Sequence, residues 1–324
     1  MLHLRLVVPP ELAPRTLDTL TAAAAVCNIV HFPGASRQPD GDLVLADVAR
    51  EDASIILSDL RRLGLEREGA VMVSEIDTAL SDRARRAEKA ASGSPADAVV
   101  WEMVESRTSE SAELSFSFLS FMALATMIAA VGILTDSQIL IIGAMIVGPE
   151  FGPLAGFCVA AVERRPSLAR RSLTALAAGF PLAIVAALLL TLALRLAGQA
   201  PDELSAVSRP TTTFISEPNA YSVLVAVLAG VAGMLSLSTA KSGALIGVLV
   251  SVTTIPAAGN IGVATAYGDW GEVGGATAQL LLNLAFIMVA GVATLGLQRS
   301  RFLRRRRAHS RLPARRAEGA DPPP

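Results

Sequence analysis

An apolar run, residues 137–162, is long enough to cross a membrane as a helix but contains its own interruption. The sequence IVGPEFGP at residues 146–153 places two prolines, two glycines and one carboxylic acid in its middle. Each proline removes a backbone donor and clashes with the preceding helical turn, and each glycine permits unusual dihedrals. In hydrocarbon such a break persists only where protein or a water-filled cavity satisfies the freed backbone groups. The run therefore predicts a functional broken helix.

The remainder of the chain is consistent with a membrane protein of several spans. Of its 324 residues, 52% are hydrophobic and only 18% are charged, and the apolar residues are concentrated after about residue 113. Since a span needs about 20 predominantly apolar residues, six transmembrane helices are predicted. They are Leu114–Leu134, Ser137–Val162, Leu173–Leu196, Ala220–Leu237, Ser242–Tyr267 and Ala278–Leu297.

The charged residues between these runs predict their orientation. Basic residues occur in alternate connections and in the C-terminal tail; those in the connections are Arg164, Arg165, Arg170, Arg171 and Lys241. The other connections carry Asp136, Asp202, Glu203, Arg209, Glu217, Asp269 and Glu272. Because arginine and lysine mark the cytoplasmic side, both termini are predicted to be cytoplasmic, in a multi-pass protein of the inner membrane. The opening residues show no secretory signal, which agrees with that orientation.

The regions outside the membrane are assigned by pattern. Residues 1–80 read as strand, helix, two strands, helix and strand, the order of a ferredoxin-like regulatory domain in the cytoplasm. Residues 81–112 are predicted to be a linker and an interfacial helix bearing Trp101, although a continuation of the first membrane helix fits equally well. Residues 113–298 form the transmembrane domain, and residues 299–324 a basic cytoplasmic tail. The tail is expected to bind anionic lipid rather than nucleic acid, through Arg304, Arg305, Arg306 and Arg307.

The first three runs, 114–196, resemble the last three, 220–297. ALATMIAAVGILTDS aligns with LVAVLAGVAGMLSLS, and IVGPEFGPLAG aligns with LVSVTTIPAAG. The matched pairs include Gly132 with Gly233, Pro153 with Pro256, and Gly156 with Gly259. Because each half has three spans, the second half enters from the opposite side, and the predicted fold is two inverted three-helix repeats with broken second helices. Secondary transporters bind substrate where such paired breaks meet near the midplane.

The two breaks supply the candidate site. A carboxylate at the bilayer centre costs at least about 2.5–3.5 kcal/mol, so Glu150 is an ion- or substrate-facing acid under this hypothesis. The candidate substrate- or ion-binding residues are Glu150, Gly148, Pro149, Gly152, Pro153, Thr253, Thr254, Pro256 and Asn260.

Other interpretations of these residues stay open. The glycines fit helix packing alone. Glu150 also fits pairing with an arginine in an oligomer, or a position nearer the cytoplasmic end. Asn260 fits a helix cap, Asp136 is predicted to cap the second span, and Asn283 is predicted to satisfy its helix locally.

No motif of a nucleotide hydrolase, protease or other hydrolase occurs. The two cysteines, Cys27 and Cys158, and the three histidines show no metal-ligand spacing. We therefore expect no enzymatic activity, no cofactor and no metal site.

The segment LTDSQILIIGAMIVGPEFGPLAGFCVAAVERRPSLARRSL resembles the core of a bacterial and archaeal membrane family named domain of unknown function 389. The resemblance covers about residues 115–260 and is carried by Asp136-Ser137, Ile142-Gly143-Ala144-Met145, Pro149, Gly152-Pro153 and Arg170-Arg171-Ser172. Where many members have a small or apolar residue after the first proline, this chain has Glu150. The resemblance implies a membrane architecture and no particular activity.

Three functions fit these observations. The first is a secondary transporter of a small ion or metabolite, gated by the cytoplasmic domain. The second is a ligand-gated channel with the same pore, and the third is a non-transporting membrane scaffold or sensor. Small-residue faces such as Ala226-x-x-x-Gly230 predict a homo-oligomer.

Overall fold

The computed structural model describes residues 1–91, 98–202, 211–239 and 253–309, with the backbone alone at 213 and 305–309. The chain divides into two compact units. The first consists mainly of Met1–Val104, and the second of Glu105–Leu237 together with Lys241–Phe302.

The first unit is a small α+β structure. Its elements are β1 (Leu2–Val8), α1 (Ala13–Ala22), β2 (Val26–Arg37), β3 (Asp40–Val48), α2 (Arg50–Arg62), α3 (Leu65–Glu68), β4 (Ala70–Glu75) and α4 (Asp82–Ala90). The four strands form one antiparallel sheet in the order β2-β3-β1-β4. The strand and helix order follows the predicted one, with the single-turn helix α3 added before β4.

The core of this unit follows from the period-two alternation of strand residues. Leu2 is paired with Val48, Leu4 with Ala46 and Leu6 with Val44 across β1 and β3, and all six are fully buried. Because successive strand residues point to opposite faces, this register directs one apolar face of the sheet inward. Buried residues of α1 and α2, including Leu20, Ile56 and Leu60, pack in the same cluster.

The remaining elements are helical. They are α5 (Trp101–Ser111), α6 (Phe116–Leu134), α7 (Gln138–Val147), α8 (Phe151–Glu163), α9 (Pro166–Leu196), a 3-10 turn (Thr213–Ser216), α10 (Ala220–Ser238), α11 (Thr254–Tyr267) and α12 (Trp270–His309). Among the described residues, α6, α9, α10 and most of α12 are each long and apolar enough to cross a membrane. The bent pair α7 and α8 adds a fifth crossing if it is counted as one span.

Several predicted boundaries change. Helix α9 begins at Pro166 rather than Leu173, because proline is favoured in the first helical turn. Helix α12 begins at Trp270 and continues to His309, so the start of the predicted basic tail is helical. Residues 242–252 of the fifth predicted run lie outside the described residues, and α11 is the remainder of that run.

The linker differs from both of its predicted forms. Residues 81–112 contain two helices, α4 and α5, and α5 ends before α6 begins, so α5 is not a continuation of the first span. Trp101 is only 4% exposed, and its backbone N–H donates to Ser54 Oγ (3.0 Å). A tryptophan buried in this way is not free to lie in a membrane interface.

The second unit has two chemically different ends. At the first, the arginine end, Arg299 Nη2 of α12 pairs with Glu163 Oε2 of α8 (2.9 Å), and Arg165 pairs with Glu105. At the other, the Asp136 end, Asp136 Oδ1 accepts a hydrogen bond from Thr212 Oγ1 (3.0 Å), and Tyr267 Oη donates to Pro201 O (2.6 Å). The helix termini are therefore sorted between two ends of one helical bundle.

The interior of this bundle is built from small residues. Gly259 of α11 lies against Ala129 of α6, and Gly262 lies against Ile184 and Ala187 of α9. Ala129, Ala187 and their neighbours are buried in one continuous apolar cluster. Helices with small residues at their contacts approach closely, as membrane helices do.

Candidate functional site

The predicted interruption is present between α7 and α8. Gly148 leaves the helical region with φ −63° and ψ 128°, and the two helix axes differ by 49°. Pro149 has no N–H to continue the helical ladder. Helix α7 has 10 residues and therefore spans about 15 Å, about half the thickness of a hydrocarbon layer of about 30 Å.

The second predicted break is described on one side only. Helix α11 begins at Thr254, with Thr253 at its N-cap position and Pro256 in its first turn. Residues 240–252, which precede it, lie outside the described residues. Only the start of α11 can therefore be compared with the first break.

A hydrogen bond joins the two half-helices. Thr254 Oγ1 donates to Glu150 Oε1 (2.7 Å), and the two residues are 1% and 3% exposed. The other carboxylate oxygen, Glu150 Oε2, has no hydrogen-bond partner among the described residues. Two of the candidate residues, one from each predicted break, are therefore in direct contact.

Gly148 leaves room for this carboxylate. A Cβ at this position would lie 2.4 Å from Glu150 Oε2 and 2.6 Å from Ile255 Cγ1. Neither separation is tolerated in a packed structure, so any larger residue would displace Glu150 or the first turn of α11. The glycine is needed for close approach rather than for a left-handed dihedral.

The helix directions favour negative charge at this point. Helix α8 runs from Glu150 toward the arginine end, and α11 runs from Thr253 toward the Asp136 end. Their N-termini therefore meet, and each carries the equivalent of about half a positive charge. Glu150 lies at the N-cap position of α8 and bonds the first residue of α11. The positive ends of both helix dipoles therefore point toward this buried side chain.

A second polar group adjoins Thr253. Gln279 Nε2 donates to Thr253 Oγ1 (3.2 Å), and Asn283 Nδ2 donates to the same oxygen (3.0 Å). Gln279 was missed by sequence reasoning, and Asn283 bonds another helix rather than its own. Their common spacing with Glu272 on one face of α12 is the signal that could have found them.

Asn260 lies inside α11 and not at a cap. Its side chain is 2% exposed, and Nδ2 donates to Glu272 Oε2 (3.4 Å). The helix-cap interpretation is therefore wrong. The predicted Asp136 cap is also wrong, because Ser137 occupies the N-cap position of α7, while Asp136 adopts φ +47°.

The other predicted residues lie beside this centre. A Cβ on Gly152 would lie 2.7 Å from Ser111 Cβ, so Gly152 is a packing contact between α8 and α5. Pro153 and Pro256 are buried in the first turns of α8 and α11. Arg304 is exposed on α12, and the side chains of residues 305–307 lie outside the described residues.

No three His, Cys, Asp or Glu side chains of the described residues are grouped closely enough to hold a metal ion. Both cysteines are free thiols.

Comparison with known proteins gives one match. Residues 145–289 match the model of the family described as domain of unknown function (DUF389), which confirms the resemblance seen in the sequence. The matched segment includes Glu150, the start of α11 and the polar residues of α12. No curated protein and no solved structure matches the chain.

Proposed function

We propose that this chain, whose residues 145–289 match the DUF389 family, is a secondary transporter of a small ion or metabolite. The observation that carries the proposal is the hydrogen bond between Glu150 and Thr254, which joins the N-termini of two half-helices inside an apolar bundle. Half-helices that meet near the midplane are where such transporters bind their cargo.

The helix directions support an inverted repeat. Helix α6 ends and α10 begins at the Asp136 end, since Thr212 bonds Asp136 and Ser216 lies against Gly275 near the start of α12. Helix α12 then ends at the arginine end, whereas α9, its counterpart in the first half, ends at the opposite end. These directions support the proposal that the second half runs opposite to the first.

The chemistry of the centre favours a cation or proton at Glu150. Among the described residues, Glu150 Oε2 has no hydrogen-bond partner while Thr254 donates to Oε1, so the carboxylate has spare acceptor capacity. A proton or small cation on Oε2 would neutralise this buried carboxylate. Release of that species would restore the charge that the two helix N-termini stabilise.

The first unit is proposed to gate the transporter as a ferredoxin-like sensor domain in the cytoplasm. The sheet order β2-β3-β1-β4 supports that assignment. A cleft of about 460 Å³ between β2 and α4 offers a ligand site, lined by Cys27, Asn28, Arg83 and Arg86 among others. Burial raises the pKa of the Cys27 thiol, so this cleft presents a neutral sulfur beside two cationic side chains.

The predicted surroundings complete the proposal. The protein is placed in the inner membrane as a homo-oligomer with both termini cytoplasmic, and its basic tail binds anionic lipid. The concentration of arginines at one end of the bundle supports this orientation, because arginine-rich ends stay on the cytoplasmic side.

The test is current from the purified full-length protein in liposomes on a solid-supported membrane, with a panel of ions and small metabolites. We expect a saturable, transient current that Glu150→Gln abolishes while the variant remains folded. Glu110→Gln is the matched control, because Glu110 is an exposed acid of α5, and it should carry the wild-type current.

The other outcomes identify the alternatives. A sustained conductance across a planar bilayer under a constant voltage would indicate a ligand-gated channel instead of a carrier. Absence of current for every solute, from a folded sample, would overturn transport and favour a scaffold or sensor. A wild-type current from Glu150→Gln would show that the acid is structural.

A further inference from the structure

The Glu150 carboxylate lies at the point where two helix N-termini meet. Glu150 is the N-cap residue of α8, and its Oε1 accepts a hydrogen bond from Thr254, the first residue of α11, at 2.7 Å. Neither N-terminus has a side-chain cap, and neither first turn contains an acid. Because the first N–H groups of a helix have no partner within it, both helices direct donors and positive partial charge to this point. An anion is stabilised at such a point.

The second carboxylate oxygen of Glu150 is buried without a donor. Oε2 has no hydrogen-bond partner among the described residues, and the side chain is only 3% exposed. The position that a Cβ on Gly148 would take lies 2.4 Å from Oε2 and 2.6 Å from Ile255 Cγ1, so Oε2 lies beside the first turn of α11. A proton on Oε2 needs no further ligand, since it leaves a neutral carboxyl group. Protonation would therefore remove the negative charge from the two helix N-termini.

The charge at this point depends on Glu150 within the described part of the chain. No charged side chain of the described residues interacts with its carboxylate. Helices α6, α7 and α11 contain no charged residue. Around α5, α8 and α12, ion pairs join Glu105 to Arg165, Glu113 to Arg171 and Glu163 to Arg299.

We propose that the Glu150 carboxylate occupies a binding site for a small anion, and that this anion is the cargo, bound when Glu150 takes up a proton from solution. The ionised carboxylate and a free anion compete, because both carry negative charge to the same donors. Thr254 Oγ1 donates to Glu150 in the first state and to the bound anion in the second. The use of the anion as cargo rests on the proposed transport function, but its binding does not.

The polar group around Thr253 also offers a donor. Gln279 Nε2 and Asn283 Nδ2 both donate to Thr253 Oγ1, so the hydroxyl proton of Thr253 has no acceptor among the described residues. Exchanging the amide oxygen and nitrogen of Gln279 would satisfy that proton and leave Nε2 as the spare donor instead. In both arrangements a donor remains at the N-cap of α11, which favours an anion.

The experiment measures nitrate binding to the full-length protein in lipid nanodiscs by isothermal titration calorimetry, with the larger gluconate ion replacing nitrate at constant ionic strength. Nitrate is a planar oxyanion with the charge of a carboxylate, and it stays ionised throughout the pH range. We expect saturable binding that weakens as pH rises, approaching about tenfold per pH unit, since one proton is taken up with each anion. Titrations in buffers of different ionisation enthalpy measure that proton uptake directly.

Glu150→Gln keeps the side chain neutral at every pH. At high pH we expect this variant to bind nitrate at least about tenfold more tightly than the wild type, without pH dependence or proton uptake. Misfolding cannot imitate this gain of binding. The amide cannot ionise and replace the anion, so nitrate binding is expected without a transport current. Glu110→Gln, at an exposed acid of α5, is the matched control and should keep the wild-type pH dependence.

Thr254 supplies a second pair of variants. Thr254→Val removes the hydroxyl and should weaken nitrate binding about tenfold, because a hydrogen bond to a charged group is lost. Thr254→Ser keeps the hydroxyl and should bind nitrate as the wild type does. Equal affinities of the valine and serine variants would overturn the role of Thr254 as the donor to the anion.

The remaining outcomes separate this proposal from the function on which it rests. No saturable nitrate binding by the folded wild type and Glu150→Gln overturns the anion site, as does wild-type binding that does not change with pH. Sodium binding that depends on Glu150, in place of nitrate binding, also overturns it and leaves a transporter of cations standing. Nitrate binding with proton uptake, but no current for any solute, supports the anion site and overturns transport.

Discussion

At the scale of single residues, the environment of Glu150 is determined by two neighbours, Thr254 and Gly148. Its carboxylate is buried, it accepts one side-chain hydrogen bond from Thr254, and Gly148 leaves the space that its second oxygen occupies. The sequence predicted that Glu150 and Thr254 belong to opposed breaks. It could not predict their contact, because that depends on how the second half-helix is placed against the first.

Thr254→Val should destabilise the protein, because it removes a side-chain donor from a buried carboxylate while keeping the shape of the side chain. We expect a loss of about 1–3 kcal/mol in unfolding free energy. Thr254→Ser retains the hydroxyl and should retain most of the stability. Thermal unfolding of both variants in the same detergent provides the measurement, and a valine variant as stable as the serine variant would contradict the role given to this hydrogen bond.

At the scale of elements, the sequence predicted those features that depend only on neighbouring residues in the chain. The α7–α8 break was predicted because Pro149 and Gly148 interrupt a helix wherever they stand. The role of α12 was missed because Gln279 and Asn283 are isolated amides in an apolar run, and only the adjacent helix gives them partners. The helix-cap interpretation of Asn260 was wrong because α11 already begins at Thr254, six residues before it.

Close helix contact supplies an element-scale prediction. A Cβ on Gly262 of α11 would lie 2.7 Å from Ile184 O and 2.8 Å from Leu188 N of α9. Because these are backbone atoms, Gly262→Ala must push the two helices apart. We expect a loss of about 1–3 kcal/mol in unfolding free energy, the usual cost of overpacking.

Gly143→Ala is the control for this substitution. Gly143 is also helical, and a Cβ there would meet nothing within 4 Å. Alanine is favoured over glycine inside a helix by about 0.8–1.0 kcal/mol, so this variant should be as stable as wild type or more stable. If both alanine variants melted alike, the contact between α9 and α11 would not be as close as the structure shows.

At the scale of the whole molecule, charged side chains are distributed unevenly between the two ends of the second unit. The arginines of the α8–α9 turn and of the end of α12 lie at one end of the second unit, where Arg299 pairs with Glu163. The composition of the connections was enough to predict this separation, since it is a property of the sequence. The individual contacts at each end could not be predicted from the sequence, because they depend on how the helices pack.

The orientation can be tested by labelling single cysteines in intact cells, in a chain whose Cys27 and Cys158 are replaced by serine. Gln199→Cys lies in the exposed segment after α9, at the Asp136 end, and Glu110→Cys lies exposed on α5. A membrane-impermeant maleimide should label position 199 in intact cells and position 110 only after permeabilisation, because the arginine-rich end is retained in the cytoplasm. Labelling of position 110 in intact cells would reverse the orientation and place the cleft of the first unit outside the cell, where it could not sense a cytoplasmic ligand. Labelling of both positions in intact cells would mean that an even number of spans lies between them instead of the predicted three, and the inverted repeat would then lose its topological basis.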